Sequence, residues 1–274
     1  MTEMPTETPV VLSLSSHDPS GSTGLQADIE SCFSLGVHCC GVVTALCARD
    51  TRQIVSMTPT DTSLIIAQAR AILEDMPVSA IKLGYFCQVT QIEAAHSILR
   101  DYPELPVLLD PVMHLSIAGD GQSTADSEGD LCRAITTLLM PLATITTPDI
   151  VEANSLARQA DTADACGQQI LNHGSQAVLI TGTSRTNKDY INTLYVPGQQ
   201  ARRYSWPRLS HFSHGSGATL SASISAYLAY GLRLTDAVEQ GQEFTWQSLN
   251  ASRRLGMGQC IPNRLFWADK HNKR

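Results

Sequence analysis

The sequence lacks the features that nucleic-acid or membrane binding would require. No run of lysine or arginine tracks along it, and 26 acidic against 19 basic residues leave a formal net charge of −7. A chain that follows a phosphate backbone carries a basic stripe. An anionic substrate would therefore need a local positive site. No apolar run approaches the roughly 20 residues that span a bilayer. The eight cysteines (Cys32, Cys39, Cys40, Cys47, Cys87, Cys132, Cys166 and Cys260) form no C-x-x-C pair, and the eight histidines form no H-E-x-x-H. A zinc site is not expected on these spacings. Scattered cysteines without a signal sequence are expected to be buried free thiols in a reducing cytoplasm. Residues 1–8 carry two Glu and no basic residue, and are expected to be a disordered lead-in. No internal repeat or linker interrupts the rest, so residues 9–274 are expected to form one domain.

The remaining chain alternates strand and helix signals. Short apolar strands are expected at 10–14, 41–46, 80–84, 107–110, 143–146 and 177–181. Helical spacing is expected over 24–35, 63–73, 90–99, 131–139 and 150–158. This order implies an α/β fold, a mainly parallel sheet with helices on both faces. The segment 190–204 alternates more loosely and is expected to be a hairpin at the sheet edge. Residues 116–129, rich in Gly, Ser and Asp, are expected to be a mobile loop.

The most informative stretch is Ser213-His214-Gly215-Ser216-Gly217-Ala218-Thr219, followed by a helix rich in small residues. Two glycines let backbone N–H groups turn toward one point, and the helix N-terminus adds partial positive charge there. Such a nest suits a phosphoryl group. A tight turn before a core helix is the alternative reading. In an open parallel sheet, ligands sit beyond the carboxyl ends of the strands. Asp18, Gly21, Arg49, Asp50, Asp110, Asp149, Glu152, Thr181 and Gly182 all fall at that rim. Any one Asp there could simply cap a helix; together they imply a cleft.

These residues carry a resemblance. The segments His17–Asp28 (His-Asp-Pro-Ser-Gly-Ser-Thr-Gly-Leu-Gln-Ala-Asp), Thr44-Ala45-Leu46, Asp50-Thr51-Arg52, Lys82-Leu83-Gly84, Asp110-Pro111-Val112-Met113, Thr147–Ala153 and His214–Gly217 occur in family order. In them the chain resembles the bacterial hydroxymethylpyrimidine/phosphomethylpyrimidine kinases of thiamine biosynthesis, in the ribokinase-like superfamily. The resemblance implies a three-layer αβα ribokinase-like fold, a homodimer, and phosphoryl transfer from ATP with Mg²⁺ to a hydroxymethylpyrimidine and then to its monophosphate. It also implies an anion hole at Gly215, Ser216, Gly217 and Ala218. Nucleotide and phosphate contacts are implied for Asp110, Asp149, Glu152, Thr181, Gly182 and His214, with Asp110 and Glu152 toward the metal. Substrate contacts are implied for Asp28, Arg49, Cys47 and Tyr85. Lys82 matches a family segment but reads as strand structure.

Several positions depart from the family pattern. Ala218 stands where the family usually has Cys and the wider superfamily Asp, the proposed base for the hydroxyl proton, and alanine cannot act as one. A phosphate acceptor is already ionised near neutral pH and needs no base, so the second phosphorylation is expected to be favoured. Arg49 stands where many members have Gln. It reaches the acceptor phosphate, or swings out to pair with Asp50 or Glu74. Tyr85 replaces a common Met and either stacks on the ring or fills core. Thr181 replaces a Lys found in some members. His17 and His214 lie beside the expected cleft as proton relays. Two other readings stand: a pyridoxal kinase-like salvage enzyme, and a catalytically impaired pyrimidine-binding protein.

Overall fold

The structure, a computed structural model, describes residues 8–113, 126–185, 189–211 and 213–268. The first seven residues and most of the loop expected over 116–129 lie outside these. Alternation along β1 (Val10–His17) explains why the sheet has two dry faces. Val10, Leu12 and Leu14 enter one core, and Val11 enters another on the opposite face. β2 (His38–Arg49) and β4 (Val78–Leu83) flank β1 in parallel. β5 (Val107–Leu109), β6 (Ile145–Thr146) and β7 (Val178–Arg185) continue the parallel run. β3 (Ile54–Pro59) pairs antiparallel with β2 at one edge. β8 (Asp189–Tyr195) and β9 (Arg202–Pro207) form an antiparallel hairpin at the other. The order is β3-β2-β1-β4-β5-β6-β7-β8-β9.

Helices α1 (Gly24–Ser34), α7 (Ser216–Ala229) and α8 (Leu234–Asn250) cover one face. The other face carries α2 (Thr62–Asp75), α3 (Val89–Asp101), α4 (Glu128–Ala134), α5 (Ile150–Leu156) and α6 (Ala163–Asn172). The expected αβα layering with a mainly parallel sheet is what the chain forms. The helix expected over 131–139 begins three residues earlier and widens into a π turn at Ile135–Leu139. Thr136 and Thr137 there donate back to carbonyls of Cys132 and Arg133, a pattern that bends helices. Pro141 then closes the segment in a 3₁₀ turn. All eight cysteines are free, and six are buried. No helix among the described residues is long and apolar enough to cross a membrane.

Candidate active site

The parallel strands bring their carboxyl ends to one rim, where four groups of residues meet. At the end of β1, Asp18 organises its loop. One carboxylate oxygen accepts the N–H and hydroxyl of Ser20 at 2.8 and 2.7 Å; the other accepts those of Thr23 at 2.9 and 3.0 Å. Burial alone would push this carboxyl up. The Ser20 and Thr23 hydrogen bonds and the Arg49 charge outweigh it and hold the group below its ordinary range. Arg49, from the end of β2, reaches the same carboxylate at 3.6 Å, with its side chain 6% exposed. It meets Asp50 through the backbone carbonyl, at 3.3 Å. The expected outward pairing with the Asp50 or Glu74 carboxylate is therefore not the arrangement found. A guanidinium turned inward is a localised positive charge at the rim of an otherwise acidic protein.

Beside it, Cys47 and Tyr85 are buried together with Ala45, Ile54, Met57 and Cys87, against Val112. Burial raises both the Cys47 thiol and the Tyr85 phenol. The strand-end tyrosine packs in this cluster, which forms an apolar wall next to Arg49.

The second group opens α7. Gly215 has φ +104°, and a Cβ there would sit 1.8 Å from the Ser22 carbonyl oxygen, so only glycine fits. No side chain caps this helix and no acidic residue occupies its first turn. Ser216 and Gly217 are exposed, and nothing lies within 4 Å of a Cβ built on Gly217. The first amides of α7 therefore face open space with the positive end of the helix dipole behind them. Just before the loop, the His214 backbone N–H bonds the Cys260 carbonyl at 2.9 Å, while the buried ring Nε2 has no partner among the described residues. Burial chiefly, with the nearby Arg49 charge, lowers the His214 pKa, so the ring is neutral near pH 7.

The third group is acidic. Asp149 caps α5, accepting the N–H of Val151 and Glu152 at 2.7 and 2.8 Å; Glu152 closes the capping box on the Asp149 N–H at 2.9 Å. The capping alternative therefore holds for Asp149. Glu152 also receives the Met113 N–H at 3.4 Å. Its carboxyl is pushed up to about 8, by burial first and by the neighbouring Asp110 and Asp149 charges next. Asp110 accepts the Ser221 hydroxyl of α7 at 2.8 Å, and burial raises it despite the Lys82 charge.

Asp28, expected to bond a substrate ring, faces inward from α1 and is only 1% exposed. It accepts the Ser13 hydroxyl at 2.7 Å and Lys82 Nζ at 2.8 and 3.0 Å. Lys82, read from sequence as strand structure only, is likewise 1% exposed and stands 3.9 Å from Asp110. Burial opposes its charge, but Asp28 and Asp110 prevail and its pKa is raised. The signal was in the sequence: a lysine inside Ala80-Ile81-Lys82-Leu83 has no solvent to reach.

The fourth feature is a cavity of about 370 Å³ between β7–β9, α8 and the start of α7. Thr181, Ser216 and Gly217 line it, together with Asn192, Trp206, Gln242 and Trp246. Gln242 Oε1 accepts Asn192 Nδ2 at 2.9 Å and Trp206 Nε1 at 3.1 Å, which fixes the wall. Asn192 also receives the Gly182 N–H at 3.1 Å. Thr181 lines this cavity. The two tryptophans and Gln242 went unnoticed, because strands β8–β9 and helix α8 meet only in three dimensions. Gly215 to Ala218 therefore stand between this cavity and the loop that holds Asp18 and Arg49.

Known proteins resemble this chain in sequence and fold. The phosphomethylpyrimidine kinase family model matches residues 18–263. A hydroxymethylpyrimidine/phosphomethylpyrimidine kinase from Rhizobium meliloti is 31% identical over 258 residues, covering 92% of this chain and 94% of the relative. One from Mycobacterium bovis is 31% identical over 264 residues, covering 94% of each. The solved ADP complex of Bacillus subtilis pyridoxal kinase superposes with a TM-score of 0.85 at 26% identity, covering 96% of this chain and 99% of that one. A phosphomethylpyrimidine kinase structure from Clostridium difficile gives 0.73, also at 26%, covering 89% and 100%. A match through the β1 loop, the acidic rim and the α7 loop alike identifies the protein as a kinase, a phosphotransferase belonging to the phosphomethylpyrimidine kinase family.

Proposed function

We propose that the chain transfers the terminal phosphoryl group of ATP to hydroxymethylpyrimidine phosphate, and less readily to the free hydroxymethylpyrimidine. The observation that carries this reading is the uncapped N-terminus of α7, with Ala218 in its first turn between cavity and acceptor loop. Phosphoryl transfer depends on positioning and charge stabilisation more than on covalent help from the protein. Amides of Ser216, Gly217 and Ala218 supply stabilisation for the charge spread over the transferred group. The 370 Å³ cavity suits the nucleotide base and ribose, walled by Trp206 and Trp246. In this reading Arg49 meets an anionic acceptor and Cys47 and Tyr85 form the apolar side of its ring pocket, which the inward guanidinium and the buried cluster beside it support.

Mg²⁺ fits this donor set through Asp110 and Glu152. Among the described residues no three acidic, histidine or cysteine side chains gather closely enough to ligate one ion. Two carboxylates, phosphate oxygens and water are the surroundings Mg²⁺ prefers. The raised Glu152 carboxyl marks crowded negative charge that a cation relieves. Held by Asp110 and Glu152, the ion would supply positive charge that offsets the negative charge of the phosphates. The family resemblance further supports a homodimer working in the cytoplasm, and sedimentation of the purified chain tests the former.

The phosphate acceptor needs no base, whereas the alcohol does, and the side chain at 218 offers none. The test is ADP release with the pyrimidine monophosphate present and absent. Acceptor-dependent release supports the kinase reading; binding of the pyrimidine without any ADP release supports the binding-protein reading. The likeness to pyridoxal kinase structures favours one further acceptor, pyridoxal, and the same assay with pyridoxal decides it.

A further inference from the structure

The segment after α8 returns across the molecule and ends in a buried cation that no step above uses. Arg253 pairs with Ile261, Ser213 with Cys260, and the Asn263 N–H bonds the Ser248 carbonyl at 3.0 Å. These contacts deliver Arg264 beneath the site, where it is 1% exposed. Its Nε donates to Thr219 Oγ1 at 3.0 Å, on α7. Its Nη1 donates to the Gly21 carbonyl at 2.9 Å and to Glu30 at 2.9 Å. Its Nη2 donates to the Ser22 carbonyl at 2.6 Å. Thr219 in turn donates to the Gly215 carbonyl at 2.9 Å.

One planar guanidinium therefore joins the loop that carries Asp18 to the loop that opens α7. Those two loops also touch directly, at Gly215 against the Ser22 carbonyl. Asp18 holds Arg49 on one side of this contact, and the open amides of Ser216 to Ala218 lie on the other. We infer that Arg264 is a positioning residue that sets the distance between the acceptor loop and the anion hole. Its donors are spent on protein acceptors, and it is sealed from solvent. The fork geometry matters, because four acceptors, on the β1 loop, α1 and α7, must be met at fixed angles, which an ammonium cannot do. A misplacement of about 1 Å between reacting groups is worth on the order of 100-fold in rate.

This inference rests on the kinase reading for its kinetic arm and on the fold for its second arm. Arg264→Ala is expected to lower kcat by about tenfold or more while the KM for ATP stays within about twofold, since the cavity is lined by Ser216, Gly217 and Leu220 of α7 and not by Arg264 or the groups it bonds. Free guanidinium at sub-denaturing concentration is expected to restore part of that loss, and to leave the parent enzyme unchanged. Arg264→Lys, which keeps the charge opposite Glu30, is expected to show the same kcat defect. Thr219→Val, which removes one acceptor from the other end, is expected to show a smaller defect in the same direction. Should the alanine variant not fold, the lysine and valine variants decide. A folded variant with unchanged kcat, or a loss that guanidinium does not recover, overturns the inference. If the parent turns over no acceptor, the kinase reading fails on its own, and hydrogen exchange then judges Arg264. Faster exchange at residues 18–23 and 214–219 together in Arg264→Lys supports the pin, and unchanged exchange overturns it.

Discussion

Replacing Lys82 by methionine should destabilise the protein severely while conserving side-chain volume. The ammonium is 2.8 Å from one Asp28 oxygen and 3.9 Å from Asp110, with both carboxylates nearly dry at 1% and 5% exposure. Its removal leaves Asp28 with the Ser13 hydroxyl as its hydrogen-bond donor among the described residues. Breaking a buried pair from one side costs about 3–5 kcal/mol, because the remaining charge is buried and uncompensated. That is a large part of a typical total of about 5–15 kcal/mol. With a urea slope near 3 kcal/mol/M, the midpoint should fall by about 1 M or more. Adding Asp28→Asn to Lys82→Met should recover part of the loss, since the double variant no longer buries the unpaired Asp28 charge. A Lys82→Met midpoint within about 0.3 M of the parent, at unchanged slope, would refute the reasoning.

Other outcomes follow from the same geometry. Glu152, with its carboxyl at about 8 when folded against an ordinary 4.5, binds its proton more tightly in the native state. Stability of the metal-free protein should therefore fall as pH rises from about 4.5 to about 8, and Glu152→Gln should flatten that slope in thermal melts. Mg²⁺ competes with that proton, so its stabilising shift should be greater at pH 8.5 than at pH 6, and an equal shift at both would count against Glu152 as a holder. Arg49→Gln should raise the KM for the phosphorylated acceptor by about tenfold and leave that of the alcohol nearly unchanged; equal effects on both would remove Arg49 from phosphate recognition. Gln242→Leu should raise the KM for ATP several-fold through the loosened Trp206 and Asn192 wall, read by initial rates.

Much of the fold was legible because its strands are short apolar runs at the positions where parallel strands must be buried on both faces. The edge strand β3 was not, since it is exposed at three of its six positions and its pattern is too short to separate from a turn. Helices α6 and α8 escaped for a different reason: no distinctive motif marks either segment. The rim residues were visible as polar punctuation after apolar strands, and Arg49, Asp110, Thr181 and Gly215 do lie there. Their partners were not visible. Nothing local in Asp28 distinguishes a surface carboxylate from one that neutralises a lysine 54 positions away. Nor does Asn263-Arg264 announce that it reaches back to Gly21 and Ser22. Such long-range ionic contacts depend on which helix covers which strand, a fact no sequence window contains.

The central claim is that the chain is a kinase whose acceptor preference follows from the residue at 218. The most direct measurement compares ATP-dependent turnover of the pyrimidine alcohol and of its monophosphate, on the parent chain and on Ala218→Cys. The account predicts turnover of the monophosphate by both, with the alcohol used appreciably only after the cysteine is installed. Equal or better use of the alcohol by the parent chain would contradict it.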